Sequence, residues 1–443
     1  MRIQLSDHFT YKRLLQFVFP TIVMLIVTSI YGIVDGLFIS NIVGKNAFAA
    51  VNLIMPLLIA LSTFGFMIGT GGGALVSKTL GEGDKDRANQ YFSMLIGVTA
   101  LVGIIISSVG FICMRQIAWR MGANGLLIDE CVLYGRTVIV ANTFFMLQNA
   151  FLSFFVVAEK PKMGLAVSTF AGIFNIILDF LMVYVLQMGV FGAAVATSIS
   201  QVVGALIPLV YFWHENNSLL RLVPTGLYWR ALGSACFNGS SEMMTNLSMS
   251  IVAMLYNYQL VHFAGENGVA AYGVIMYVNM IFLSFFMGYS VGSAPIIGFN
   301  YGAKNTDELK NLFCKSLKLT ASIGAVMTLV AHVLAEPLSL LFVGYDEELF
   351  QMTEHGMKLY SLSFLIGGFN VFSSGFFTAL SNGVVSAIIS TLRTLVFEAA
   401  AVLIVPYFLG IDGIWFAVSI AEGMTLIVSF VAFVKCRAAY HYV

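Results

Sequence analysis

The stretch Phe170-Ala-Gly-Ile-Phe-Asn175-Ile-Ile-Leu-Asp179-Phe-Leu-Met-Val-Tyr184 lies inside an apolar run from Gly164 to Leu186, long enough to cross a bilayer. Asp179 has no Lys or Arg within ten residues on either side. A carboxylate in hydrocarbon costs at least ~2.5 kcal/mol, so it needs shelter in a helix bundle or a wet cavity. Asn175 precedes it by one helical turn, on the same face. An acid and an amide on one face point to a proton or cation site. The plainer alternative is a lone Asp hydrogen-bonded to its neighbours.

Composition agrees with a membrane setting. Of 443 residues, 59% are hydrophobic and only 10% are charged, against about 25% in soluble proteins. Mean hydropathy is +0.90. Several apolar runs exceed 18 residues, which favours spanning helices over barrel strands. Twelve such runs occur, at 17–43, 51–77, 91–113, 136–158, 164–187, 190–213, 238–263, 272–299, 316–335, 357–380, 385–409 and 413–434. Net charge is zero, so no basic face calls for nucleic acid. The five cysteines include no CxxC and the six histidines are isolated, which argues against metal or redox chemistry and against a membrane-embedded enzyme.

The chain repeats itself. Gly44-Lys-Asn-Ala-Phe-Ala-Ala50 matches Gly265-Glu-Asn-Gly-Val-Ala-Ala271, and Leu80-Gly-Glu-Gly-Asp-Lys85 matches Tyr301-Gly-Ala-Lys-Asn-Thr306, both at an offset of 221 residues. Gly189-Val-Phe-Gly192 and Gly410-Ile-Asp-Gly413 share that offset. Six spans per half give both halves the same topology. The expectation is an all-α integral membrane protein of two six-helix bundles, related by a pseudo-twofold along the membrane normal. The halves are 1–213 and 238–443, joined by a more polar linker, 214–237. With the N-terminus cytoplasmic, 17 of the 22 Lys and Arg residues fall inside, Arg2 among them, which places both termini in the cytoplasm.

Asp35 lies ~27 Å and Asp179 ~23 Å into their spans from the same side, so the two acids can meet. Asn149, Thr197 and Gln201 are candidates to join them. Two acids in one pocket would share a proton, or their oxygens would hold Na⁺. The second half does not copy this site, because Tyr256 stands where Asp35 does. Its own polar set is Glu242, Arg393, Glu398 and Glu422, with Glu422 at the position of Gln201. Arg393 is expected to pair with Glu398 or Glu422. Glu242 is expected one turn inside its span. The glycine-rich Gly65-Phe-Met-Ile-Gly-Thr-Gly-Gly-Gly-Ala-Leu-Val-Ser-Lys-Thr79 lacks the Gly-Lys-Ser/Thr ending of a phosphate loop and follows no strand, so it reads as helix packing or a bend. No nucleotide site is seen.

Together, these features resemble the MATE (multidrug and toxic compound extrusion) transporters, in the DinF-like branch. The residues that carry the likeness are Tyr31-Gly-Ile-Val-Asp35, Ile42-Val-Gly44, Gly81-Glu-Gly-Asp84 and Asn175 with Asp179. The resemblance implies a cation-coupling site at Asp35, Asn175 and Asp179, with Asn149 and Thr197 as members. It implies a monomeric proton-coupled antiporter of the cytoplasmic membrane, exporting amphipathic and often cationic compounds, with no cofactor beyond H⁺ or Na⁺. Na⁺ coupling and a lipid-linked saccharide flippase of the wider superfamily are the competing readings.

Overall fold

The computed structural model describes residues 3–43, 45–121, 123, 126–344 and 346–442. Arg2 and Gly44 lie outside the described residues. Twelve helices form, with no strand among the described residues. In the first half, α1 runs Tyr11–Phe38 and ends in a π turn, Ile39–Val43. The second helix, α2, runs Lys45–Met67, passes a π turn at Ile68–Gly72 and resumes over Gly73–Gly81. Then follow α3 (Lys85–Arg120), α4 (Leu126–Val157), α5 (Pro161–Asp179, with a π turn Phe180–Val185) and α6 (Gly189–Trp213).

In the second half, Trp229–Gly302 is hydrogen-bonded throughout but turns at Gly265 (φ 61, ψ −145), giving α7 (229–264) and α8 (266–302). Next come α9 (Thr306–Val343) and α10, the pair Glu347–Ser361 and Phe364–Ala379, bent by 47°. Gly383–Thr391, a π turn at Leu392–Phe397, Glu398–Ile404 and Pro406–Leu409 make α11, and Ile411–Tyr440 is α12. Ten of these helices are long and apolar enough to span a membrane alone, and the bent α10 makes eleven. The remaining one, α7, carries Ser240, Ser241, Glu242, Thr245 and Asn246 near its middle, which lowers its apolarity. It is already helical at Trp229, inside the stretch expected as linker.

The repeat is visible in the turns. Asp84 and Asn305, 221 residues apart, each cap the next helix, Asp84 Oδ1 accepting from Arg87 N at 3.0 Å and Asn305 Oδ1 from Glu308 N at 3.2 Å. It is also visible where the halves meet. A Cβ on Gly81 would lie 2.0 Å from Phe299 O, and one on Gly302 would lie 2.0 Å from Lys78 O. These two contacts are images of one another at the same offset, so the pseudo-twofold passes between Gly81 and Gly302. One level further in, Gly71 and Gly239 bring α2 against α7 with no room for a side chain on either. The halves are thus pressed together on the face that carries the termini, because glycine removes the one atom that would hold the backbones apart.

Two straps cross between halves on that face. Residues ahead of α1 lie on α9, where Glu308 accepts from Phe9 N at 2.9 Å and meets His8 Nδ1 at 2.6 Å, and Lys315 Nζ donates to Phe9 O at 2.7 Å. Residues ahead of α7 lie on α3, where Arg221 N donates to Asn89 Oδ1 and Val223 N to Ser93 Oγ, both at 2.8 Å. Each half is tied by its leading segment to the third helix of the other half, and Leu5 N also reaches Glu159 Oε1 at the α4–α5 turn.

Two outcomes follow from this packing. Gly81→Leu or Gly302→Leu should lower the thermal unfolding midpoint in detergent, at a cost of about 1–3 kcal/mol from overpacking; an unchanged midpoint in both would mean the halves do not clamp here. Glu308→Ala should speed tryptic cleavage after Lys12 and Arg13, read by mass spectrometry of a timed digest.

Candidate functional site

The parallel helices α1 and α5 touch where Tyr31 lies over Gly172, close enough that a Cβ on Gly172 would be 2.8 Å from the ring. Met24 rests on Gly164 lower down. One turn beyond Tyr31 is Asp35, and two turns beyond Gly172 is Asp179, so this register sets the acids face to face. Both are buried, at 7% and 0% exposure. They lie within electrostatic reach of each other. As carboxylates neither can donate, and Asp35 Oδ1 and both oxygens of Asp179 have no donor among the described residues. Asp179 ends the regular part of α5, directly before a π turn, a feature frequent at functional sites.

Other groups around the pair are also unsatisfied. Asn175 is buried with a free Nδ2, and Thr197 Oγ1 and Gln201 Oε1 on α6 lack partners. Tyr134 of α4 is fully buried within electrostatic reach of both acids, beside Thr197, and its hydroxyl donates to Met55 Sδ at 3.7 Å. Sequence reasoning missed Tyr134, whose position four turns from Asn149 on the same helix gave no signal. Asn149 is not brought to the acids. It sits about two turns from the α4 end at Val157, whereas Asp179 sits five turns along α5 from that face. Its amide donates to Phe145 O at 2.9 Å, and its backbone lies against Gly69.

The second half is organised differently. Arg393, inside the π turn of α11, donates from Nε to Glu422 Oε1 at 2.7 Å. Asn370 Nδ2 holds Glu422 Oε2 at 2.7 Å, and Ser429 Oγ donates to Asn370 Oδ1 at 3.0 Å. Of the two expected pairings, Arg393 takes Glu422 rather than Glu398. Glu398, just past that π turn, lies within electrostatic reach of Arg393, Glu422 and the tyrosines 256, 272 and 360. Tyr256, at the position equivalent to Asp35, is buried and stacks on Tyr272 at 4.8 Å. Among the described residues no three His, Cys, Asp or Glu side chains cluster as metal ligands would.

Because α7 starts at Trp229, ahead of the span expected from hydropathy, Glu242 is ~20 Å along the helix. It lines a cleft between the halves, with Thr70 and Ser153 on one wall and Ser290, Ser374 and Arg393 on the other.

Known proteins with this architecture are close at hand. The chain is 24% identical over 413 residues to the multidrug export protein MepA of Staphylococcus haemolyticus (strain JCSC1435), covering 93% of this chain and 90% of that protein. It is 23% identical over 415 residues to the MepA protein of Staphylococcus aureus (strain MSSA476), covering 94% and 91%. Among solved structures, an outward-facing multidrug resistance MATE family transporter of the MOP superfamily superposes with a TM-score of 0.93, covering 100% of this chain and 99% of that one at 21% identity. A MATE in complex with MaL6 gives 0.93 over 98% of both chains at 21% identity, a likeness that speaks to the fold alone. The MatE family model matches twice, over residues 20–181 and 243–404, once in each half of the repeat. The chain belongs to the MatE family, the MATE transporters, a family of multi-pass membrane carriers and not of enzymes.

Proposed function

We propose that this protein is a proton-coupled antiporter that exports amphipathic, often cationic, organic compounds across the cytoplasmic membrane. The observation that carries the reading is the Asp35–Asp179 pair, two buried acids within electrostatic reach of each other, three of whose four oxygens have no donor among the described residues. Such a pair takes up a cation when one face of the membrane has access and gives it up when the other does. The names of the MepA relatives support export of several drugs. The cavity between the halves offers a place for them.

The excess of Lys and Arg on the face with the termini supports a cytoplasmic assignment for that face. Gly81, Gly302, Gly71 and Gly239 hold the halves in close contact on that face. Protonation of the acid pair from outside favours release of the exported compound, and loss of the proton toward the cytoplasm resets it. Alternating access then requires the glycine contacts to part while contacts on the other face form.

Purified protein in liposomes should export an organic cation when a proton gradient is imposed, and not with a Na⁺ gradient alone. Asp35→Asn and Asp179→Asn should each reduce that export to the level of protein-free liposomes while the cation still binds. Export driven only by Na⁺ would reassign the ion to the same oxygens. Undiminished export in both variants would make the acid pair structural and overturn the proposal.

A further inference from the structure

The export reading leaves open what fastens the halves on the face that carries the termini. The segment ahead of α1 sits where a fastening would. Leu5 bridges the two halves through its backbone. Its N–H donates to Glu159 Oε1 at 2.7 Å, at the α4–α5 turn of the first half. Its carbonyl accepts from Asn300 Nδ2 at 3.3 Å, on α8 of the second half. Its side chain is fully buried. It belongs to one apolar cluster with Val156 of α4 on one side and Ile296 of α8 and Phe377 of α10 on the other.

The two halves do not hold this segment equally. Phe9 is fully buried, and α9 grips both its backbone groups. Glu308 Oε1 accepts from Phe9 N at 2.9 Å, while Lys315 Nζ and Asn311 Nδ2 donate to Phe9 O at 2.7 and 3.0 Å. The Glu308 carboxylate is itself buried, and its other oxygen meets His8 Nδ1 at 2.6 Å. Hydrogen bonds to a buried charged group are among the stronger ones and are costly to leave unmade. Toward the first half the segment presents Leu5, with its bond to Glu159 and the Val156 side of the cluster. Parting the halves on this face therefore breaks the Leu5 bridge first. The moorings on α9 survive it, because they lie within the second half.

We propose that residues 5–9 are a latch: they stay moored on α9 and engage the α4–α5 turn through Leu5 when the halves are closed on the face with the termini. The proposal rests on the alternating-access reading and names the segment that biases it. Closing buries the Leu5 side chain and makes its bond to Glu159, and opening undoes both. An interaction made in one state and lost in the other shifts the balance between them. The glycine contacts set how closely the halves approach, and Leu5 sets how often they part. Glu308 acts through Leu5, by holding the segment where Leu5 reaches across the junction.

Native cysteines report on the latch. Cys236 of α7 packs against the apolar cluster that contains Ile68, Val76 and Leu80 of α2, next to Ala235, whose carbonyl faces Gly71. Parting of the halves uncovers it. Cys314 of α9 is exposed and gives the reactivity of the reagent, and buried Cys131 reports general loosening of the fold. The full chain in detergent is treated with N-ethylmaleimide for timed intervals, and each cysteine is read by peptide mass spectrometry. Leu5→Ala should raise the rate at Cys236, relative to Cys314, by about tenfold or more, because it removes an apolar side chain buried only in the closed state. Glu308→Ala should raise it in the same direction. Leu5→Met keeps the apolar volume and should leave the rate within about twofold. An unchanged Cys236 rate in both Leu5→Ala and Glu308→Ala would overturn the proposal, and so would a rise shared by Cys131. The labelling uses no ion gradient and no exported compound. Failure of proton-driven export with the labelling pattern intact therefore rejects the coupling scheme and not the latch, whereas normal export with an unresponsive Cys236 rejects the latch alone.

Discussion

A bilayer interior supplies no water, so every polar group within it must find a partner in the protein or remain costly. This constraint divides the charged groups of the chain into two kinds. Arg393, Glu422, Asn370 and Ser429 satisfy one another in a closed network. Asp35 and Asp179 do not, and neither do Asn175, Thr197 and Gln201 around them. A satisfied network fixes packing, whereas the groups around the acid pair are left without partners among the described residues. The two halves share an ancestry of topology, yet they have spent their polar residues on different tasks.

The duplication also explains the geometry of the interface. A pseudo-twofold makes any contact near its axis happen twice, so a single small residue is used at two places. Gly81 on Phe299 O and Gly302 on Lys78 O are one contact seen from both sides. Close backbone approach there holds the halves together on the face that carries the termini. The same device sets the acid pair, where Gly172 admits the Tyr31 ring and fixes the depth at which Asp35 meets Asp179.

π turns recur at the charged positions. One follows Asp35 after a turn, one follows Asp179 directly, and one contains Arg393. A π turn adds one residue to a helical turn, which rotates the side chains beyond it and loosens the local ladder. Each is therefore a natural point for a helix to change its course while the rest of it stays rigid.

The sequence by itself determined the membrane setting, the twelve helices, the two-fold repeat and the unusual status of Asp35 and Asp179, because hydropathy, periodicity and the scarcity of charge are local properties of the chain. Spacing from the span ends was enough to put those two acids at one depth. Tertiary structure alone decided which partners they meet. Tyr134 entered their neighbourhood and Asn149 did not, since a residue's depth on an antiparallel helix depends on where that helix starts and how it leans. It alone gave Arg393 to Glu422 and left Glu242 facing the cavity, because α7 begins at Trp229, in a polar stretch that hydropathy reads as linker. Which charges neutralise one another depends on distances of a few ångströms between helices, and no periodicity in a single strand of sequence encodes them.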